Sequence, residues 1–273
     1  MRNAPPIIFL ASLLLASGAF ADNTAVQPKI LDNVGITQRL GESIPLDLTF
    51  NDETGHPVQL SHYFQDHKPV LLTMVYFECP MLCSEILNGL VRTLRIIPLS
   101  AGKDFNLVTV SFDPTETPKL AALKKLSYVD KYRRPGAADG WAFLTGNETN
   151  IKKLADAVGF RYAWDPQLKQ FAHASSIMIL TPQGKLARYF YGVEFPSQDV
   201  RLSLVEASGG KIGGFIDQAV LFCYHYDPAT GRYGLLIMRV LQLAAVATLL
   251  ALALLVSALL WQEKHAVPKE KQA

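Results

Sequence analysis

The chain has 273 residues, a formal net charge of +2 and a hydrophobic share of 49%. A charge so close to balance, with no basic stripe or arginine-rich helix, argues against nucleic acid as a partner. Three cysteines are too few for a disulfide-stapled scaffold and leave one over if two of them pair, so they read as chemical groups.

At the N-terminus Arg2 precedes an apolar run over residues 7–16, and Ala19-Phe20-Ala21 follows as a small-x-small cleavage pattern before Asp22. The run is too short to span a bilayer, so residues 1–21 are expected to be a secretory signal peptide, against the alternative of an uncleaved anchor. Residues 22–37 have no periodicity and read as a linker. Residues 44–50 and 58–60, on either side of a polar turn holding Gly55, predict a hairpin. Residues 70–77 are continuously apolar, the mark of a strand buried on both faces.

That run ends in Cys79-Pro80-Met81-Leu82-Cys83, and a helical pattern opens at the second cysteine. A thiol at a helix start meets the positive end of the helix dipole, which lowers its pKa and favours the thiolate. Thiolates bind soft metals and exchange disulfides. The spacing is one residue longer than that of a thioredoxin-type C-x-x-C pair, which gives the sulphurs room to hold a metal ion as well as to pair. The residues alone leave three readings open: a copper site, a redox-cycling pair and a permanent disulfide of an exported protein.

The helix places Ile86, Leu87, Leu90, Val91, Leu94 and Ile97 on one face and stops at Pro98. Residues 106–112 predict a second buried strand, completing a right-handed β-α-β unit. Thr117 is an N-cap with Pro118 in the first turn, opening a helix that runs to about residue 133. A short strand over 141–145 follows, then a helix aligning Ile151, Leu154, Ala155 and Val158 and ending at Gly159. Residues 176–180 and 186–191 flank Thr181-Pro182-Gln183-Gly184-Lys185 as a hairpin, and 200–207 form a last helix. The expected class is α/β, a mixed central sheet flanked by helices.

Residues 243–261 carry no charge and are dominated by Leu, Ala and Val. A helix of that length rises roughly 28 Å, close to the hydrocarbon thickness of about 30 Å. Trp261 stands where an interfacial anchor belongs, and Lys264, Lys269 and Lys271 form a cationic tail of the kind expected on the cytoplasmic side. The expected organisation is therefore an exported domain over 38–208, a juxtamembrane extension over 209–234, a transmembrane helix over 235–261 and a cytoplasmic tail over 262–273.

In this order the elements resemble the Sco/SenC family of thioredoxin-like copper proteins, from about residue 41 to residue 195. The first block is Leu46-Asp47-Leu48 through Gly55-His56-Pro57-Val58 and Lys68-Pro69-Val70-Leu71-Leu72 to the two cysteines. The second is Val110-Ser111-Phe112-Asp113-Pro114 followed by Thr117-Pro118, and the third is Ala172-His173-Ala174-Ser175 leading into Ile177-Met178-Ile179-Leu180 and Pro182-Gln183-Gly184. The resemblance implies a thioredoxin-like domain facing the periplasm or the intermembrane space; with the span read from residues 243–261, the expected location is the bacterial inner membrane, single-pass, with the folded domain in the periplasm. It also implies one copper ion per chain, Cu(I) or Cu(II), held by Cys79, Cys83 and His173. The implied role is maturation of the dinuclear copper site of cytochrome c oxidase, with the subunit bearing that site and a periplasmic copper donor or thiol reductant as partners. Three features depart from the family pattern. Pro80-Met81-Leu82 stands where many members have Pro-Asp-Ile, the expected anchor is C-terminal where many are N-terminal, and the segment with Cys223 and His225 lies outside the shared core.

Two thiolates and an imidazole suit copper, since sulphur favours Cu(I) and nitrogen admits Cu(II), whereas structural zinc wants four ligands. No proline lies between Phe171 and Leu180, where thioredoxins carry a cis-proline, which points towards metal binding at His173 and away from general disulfide exchange. His56, His62 and His67 read as solvated, Asp113 as part of a turn, against a role in orienting a ligand or a substrate loop, and Met81 as either a soft transient ligand or a packing residue. Cys223 and His225 read as a buried cysteine with an incidental histidine, against a second metal stop or a mixed-disulfide partner. The leading expectation is thus a metallochaperone rather than an enzyme. The alternative is a thiol–disulfide oxidoreductase working through Cys79 and Cys83, and a membrane sensor comes third.

Overall fold

The structure, a computed structural model, describes residues 33–79, 82–212, 226–227, 232–233 and 235–266. Its first strands are Gly35–Ile36 (β1), Thr49–Asn51 (β2), Pro57–Gln59 (β3) and Val70–Val75 (β4). Every residue of β4 is buried. A strand covered on both faces has no solvent side to give polar residues to, which is why alternation is missing from its sequence. Leu82–Ile96 (α1) follows β4, and Asn106–Ser111 (β5) returns parallel to it, with Leu72 beside Val108 and Val75 beside Ser111. Pro118–Tyr132 (α2), the single turn Ala137–Gly140 (α3) and Trp141–Leu144 (β6) come next, β6 lying parallel to β5.

Glu148–Ala157 (α4) leads into Phe160–Asp165 (β7) and Gln170–His173 (β8), which pair with each other. Ser176–Leu180 (β9) then enters the main sheet antiparallel to β4, and Leu186–Tyr191 (β10) closes the edge, giving the order β10-β9-β4-β5-β6. Ser197–Ser208 (α5) packs on β9, β10 and α1, while α2 packs on α1 and β6. This mixed sheet flanked by helices is a thioredoxin-like fold.

The expected helix faces hold: Ile86, Leu87, Leu90, Val91, Leu94 and Ile97 are all buried, as are Ile151, Leu154, Ala155 and Val158. The Thr117 side chain accepts the Leu120 amide and Pro118 occupies the first turn of α2. Two threonines inside the sheet satisfy one another. Thr73 donates to Thr109 at 3.0 Å and the Trp141 indole donates to the same Thr109 oxygen at 2.9 Å, so no buried hydroxyl in that trio is left without a partner.

Three local readings differ. The strand expected over 44–50 shrinks to Thr49–Asn51, although Ile44, Leu48 and Phe50 are buried. The backbone before it bonds to other loops instead, with Ile44 donating to Gly184 and Leu46 and Leu48 accepting from Ser61 and Leu60. The β7–β8 hairpin was not legible, because its turn has no glycine: Lys169 takes a positive φ of 51°, and the Asp165 side chain accepts the amides of Gln167 and Leu168. Within the stretch that reads as a linker, Gly35 and Ile36 pair with Arg161 and Phe160 of β7.

Gly159 makes that last pairing feasible. It has a φ of +67°, and a Cβ built there would stand 1.9 Å from the Thr37 carbonyl oxygen. Gly159→Ala is expected to cost about 2 kcal/mol or more, from left-handed backbone and overpacking together. The midpoint of urea unfolding of the full-length chain in detergent measures it, and an unchanged midpoint would mean that β1 moves aside at no cost.

Beyond α5, Tyr226–Asp227 (β11) and Arg232–Tyr233 (β12) pair, and Leu235–Ala266 (α6) follows. Its segment Gln242–Gln262 is long and apolar enough to cross a membrane. The expected signal peptide over 1–21, Met81, Cys223 and His225 lie outside the described residues, as does the end of the expected cytoplasmic tail beyond residue 266.

Candidate metal centre

The chain leaves β4 at Val75, whose carbonyl accepts the Phe112 amide at 2.8 Å, and turns over Tyr76, Phe77, Glu78 and Cys79. The Cys79 amide donates to the Tyr76 carbonyl at 3.4 Å, and the Cys79 side chain is half-buried against the core. Cys83 stands in the first turn of α1, and its side chain is outside the described residues. The Tyr128 hydroxyl of α2 donates to the Ser84 carbonyl at 3.3 Å and so ties that turn down.

His173 is the last residue of β8, opposite Tyr162, and is half-buried. Its Nδ1 lies 2.9 Å from the Ala174 carbonyl oxygen. A carbonyl only accepts, so Nδ1 carries the proton and Nε2 carries the lone pair in the neutral ring, the form a metal ligand needs. The ring is walled by aromatics: Tyr76 packs edge-on at a centroid distance of 5.8 Å, Phe112 at 5.2 Å and Phe160 at 6.3 Å. Phe112 in turn packs on Tyr162 at 4.7 Å and on Phe171 at 5.6 Å, and burial pushes the Tyr162 hydroxyl pKa up.

Tyr76 therefore touches both halves of the expected site. Its carbonyl holds the Cys79 amide, and its ring packs on His173. The sheet makes this meeting inevitable, because β4 and β9 are antiparallel neighbours with Thr73 beside Ile177, so the end of β4 lies by the start of β9. The donor types suit a thiophilic ion: a thiol at Cys79 and, at His173, an imidazole whose Nδ1 is held by a carbonyl, both residues in contact with Tyr76. Among the described residues, no three His, Cys, Asp or Glu side chains converge, and the Cys83 thiol is not one of those residues.

The remaining expected residues fall where their chemistry puts them. His56, His62 and His67 are exposed, and His56 Nδ1 shares a 2.7 Å hydrogen bond with Thr54. Asp113 does make a turn, its Oδ1 accepting the Thr115 amide at 2.8 Å and the Thr115 hydroxyl at 2.6 Å. The acid that reaches the cysteine loop is one the sequence reading missed. Glu116 is buried and accepts the Phe77 amide at 2.8 Å, the Glu78 amide at 2.7 Å and the Ser111 hydroxyl. Burial pushes its carboxyl pKa up, the three donors pull against that, and Asp113 nearby adds to the rise. No sequence signal marks it, since a glutamate between two threonines before a helix looks like ordinary surface.

The SCO1/SenC family model matches residues 37–205, more than half of the chain. The chain belongs to the SCO1/SenC family. Among solved structures, a provisional electron-transfer protein of Aquifex aeolicus VF5 is 26% identical with a TM-score of 0.55, covering 63% of this chain and 96% of its own. A SCO1/SenC family lipoprotein of Bacillus anthracis str. Ames shares the fold at 17% identity and a TM-score of 0.51, covering 64% of this chain and 99% of its own. ScoI of Arabidopsis thaliana, solved with copper bound, is 17% identical with a TM-score of 0.49, covering 63% of this chain and 99% of its own. A comparison with curated proteins found no match. The SCO1/SenC match contains every residue expected at the site, Cys79, Cys83 and His173.

Proposed function

We propose that this SCO1/SenC protein is a membrane-tethered copper chaperone. Cys79, Cys83 and His173 take one copper ion, as Cu(I) or Cu(II), and hand it to the subunit of cytochrome c oxidase that bears the dinuclear copper site. The observation that carries this reading is that Tyr76 takes the Cys79 amide on its carbonyl and packs its ring on His173, whose Nδ1 is engaged by the Ala174 carbonyl so that Nε2 carries the lone pair. Three protein donors leave the ion open to an incoming ligand, so a partner's ligands add before the chaperone's leave. The apolar span Gln242–Gln262 supports a tether in the bacterial inner membrane with the folded domain in the periplasm. Tethering confines the search for a membrane-bound partner and raises its effective concentration. A periplasmic copper donor or thiol reductant would prepare the site.

A second reading is favoured by Cys83 at the start of α1, where a nucleophilic thiolate is stabilised, and by the likeness to the Aquifex protein described as an electron-transfer protein. In it, the two thiols reduce a disulfide of the oxidase copper site. Two electrons and two protons pass to the partner's cysteines, and a Cys79–Cys83 disulfide remains. His173→Ala separates the two. The chaperone reading expects Cu(II) affinity to fall about 10–100-fold or more, as for lost metal-site contacts, with copper delivery to an oxidase copper-site fragment lost and disulfide reduction kept. Full delivery by the variant would sink the three-donor site.

A further inference from the structure

Glu116 has no cation beside it among the described ion pairs, and it is 9% exposed. Burying a carboxylate is unfavourable, and an apolar side chain of the same length would fill the space without that penalty, so packing does not account for an acid here. What the carboxylate holds is specific. Its two oxygens accept from two successive amides, Phe77 and Glu78, the last two before Cys79. Ser111 donates to it from the end of β5, and the Ser111 oxygen accepts the Asp113 amide at 3.1 Å, so the anchor is fixed to the sheet and not to a loose loop.

We propose that Glu116 is a positioning residue for Cys79, a role that rests on reading Cys79 as a site thiol. The carboxylate does two things at once. It pins the peptide units that set where Cys79 stands relative to Tyr76 and His173. It also keeps the Phe77 and Glu78 amides engaged, so that neither donates a hydrogen bond to the Cys79 sulphur. An amide donated to a thiolate withdraws electron density from it, which weakens it both as a copper donor and as a nucleophile. With both amides held by Glu116, neither of these two draws on the sulphur's density.

The test uses full-length protein in detergent, as the parent and as Glu116→Gln, Glu116→Asp and Ser111→Ala. The first readout is the sulphur-to-Cu(II) charge-transfer band and the copper EPR spectrum. The second needs no metal: the rate at which iodoacetamide alkylates Cys79, measured in a Cys83→Ser background so that only one site thiol reacts. Glu116→Gln turns one amide donor against another and is expected to shift the band and slow alkylation threefold or more. Ser111→Ala removes the tie of the carboxylate to the sheet while leaving it both amides, and is expected to move band and rate less than Gln does. A Gln variant with the parent's band and rate would overturn the proposal, and so would a Ser111→Ala variant that moves both as far as Gln does. Should Glu116→Gln fail to fold, Glu116→Asp makes the same comparison, because it keeps the charge but draws the oxygens back by one methylene. A parent that binds no copper would defeat the chaperone reading, and the alkylation rates would still decide whether Glu116 controls Cys79.

Discussion

Cys79→Ser and Cys83→Ser are each expected to abolish tight copper binding by the reduced protein while leaving the fold in place. A serine hydroxyl stays protonated at neutral pH and is a hard donor, so each variant would leave the proposed site one thiolate and one imidazole in place of three donors. The loss should exceed the roughly 10–100-fold that removal of a supporting contact costs at a metal site. The fold is insulated for a structural reason. Cys79 sits half-buried past the end of β4, after the buried strand has already made its pairs with β5 and β9. A near-isosteric change there should cost within about 1 kcal/mol of stability. Anaerobic competition between the full-length protein and a Cu(I) chelator gives the affinities, and a thermal melt of the same samples gives the stability. Parent-like copper retention by either serine variant would remove that sulphur from the site, and a collapsed melt would mean that the cysteine is structural.

Phe112→Ala is the substitution expected to damage fold and site together. The ring is fully buried and packs on Tyr76, Phe160, Tyr162, Phe171 and His173. Truncation of a buried phenylalanine typically costs about 3–5 kcal/mol, part transfer and part residual cavity. The cavity here would open beside the imidazole, so the Cu(II) EPR spectrum should broaden into several ring orientations. Phe112→Leu keeps most of the volume and is expected to cost less than about 2 kcal/mol and to restore a single spectrum. Denaturant midpoints read the first effect and EPR reads the second. A destabilised alanine variant with an unaltered spectrum would show that Tyr76 and Phe160 orient His173 without Phe112.

The parts of this molecule that were legible in the sequence are those where one physical cause dominates. The unbroken apolar run at β4, the three-and-four spacing of Ile86 to Leu94, and the Thr117-Pro118 start of α2 each follow from burial or capping alone, and each was found. The cysteine motif stood out because few residue types do what a thiol does, whereas His173 stood out only through the family resemblance, and their joint role at one site is the proposal. The β7–β8 hairpin was not legible, since β8 is half-buried throughout, β7 mixes buried, half-buried and exposed residues without alternation, and its turn is held by an aspartate and a positive-φ lysine. Glu116 was hidden for a different reason. Its partners are backbone amides, and a backbone amide leaves no mark in a sequence. That Glu116 and not Asp113 stands behind the cysteine loop needed coordinates, because the two are three residues apart and only the fold decides which one turns inwards.

The antiparallel docking of β9 on β4 also sets an order of events along the chain. Cys79 and His173 are 94 residues apart, and nothing local brings them together. Closing so long a loop is slow compared with forming α1 or the β4–β5 pair. On the proposed export of the folded domain, the two cysteines would emerge, and α1 would form, well before the imidazole arrives. In that interval the nascent chain offers an oxidant or a soft cation a bare dithiol, and the protection of the finished site comes only with the last strands.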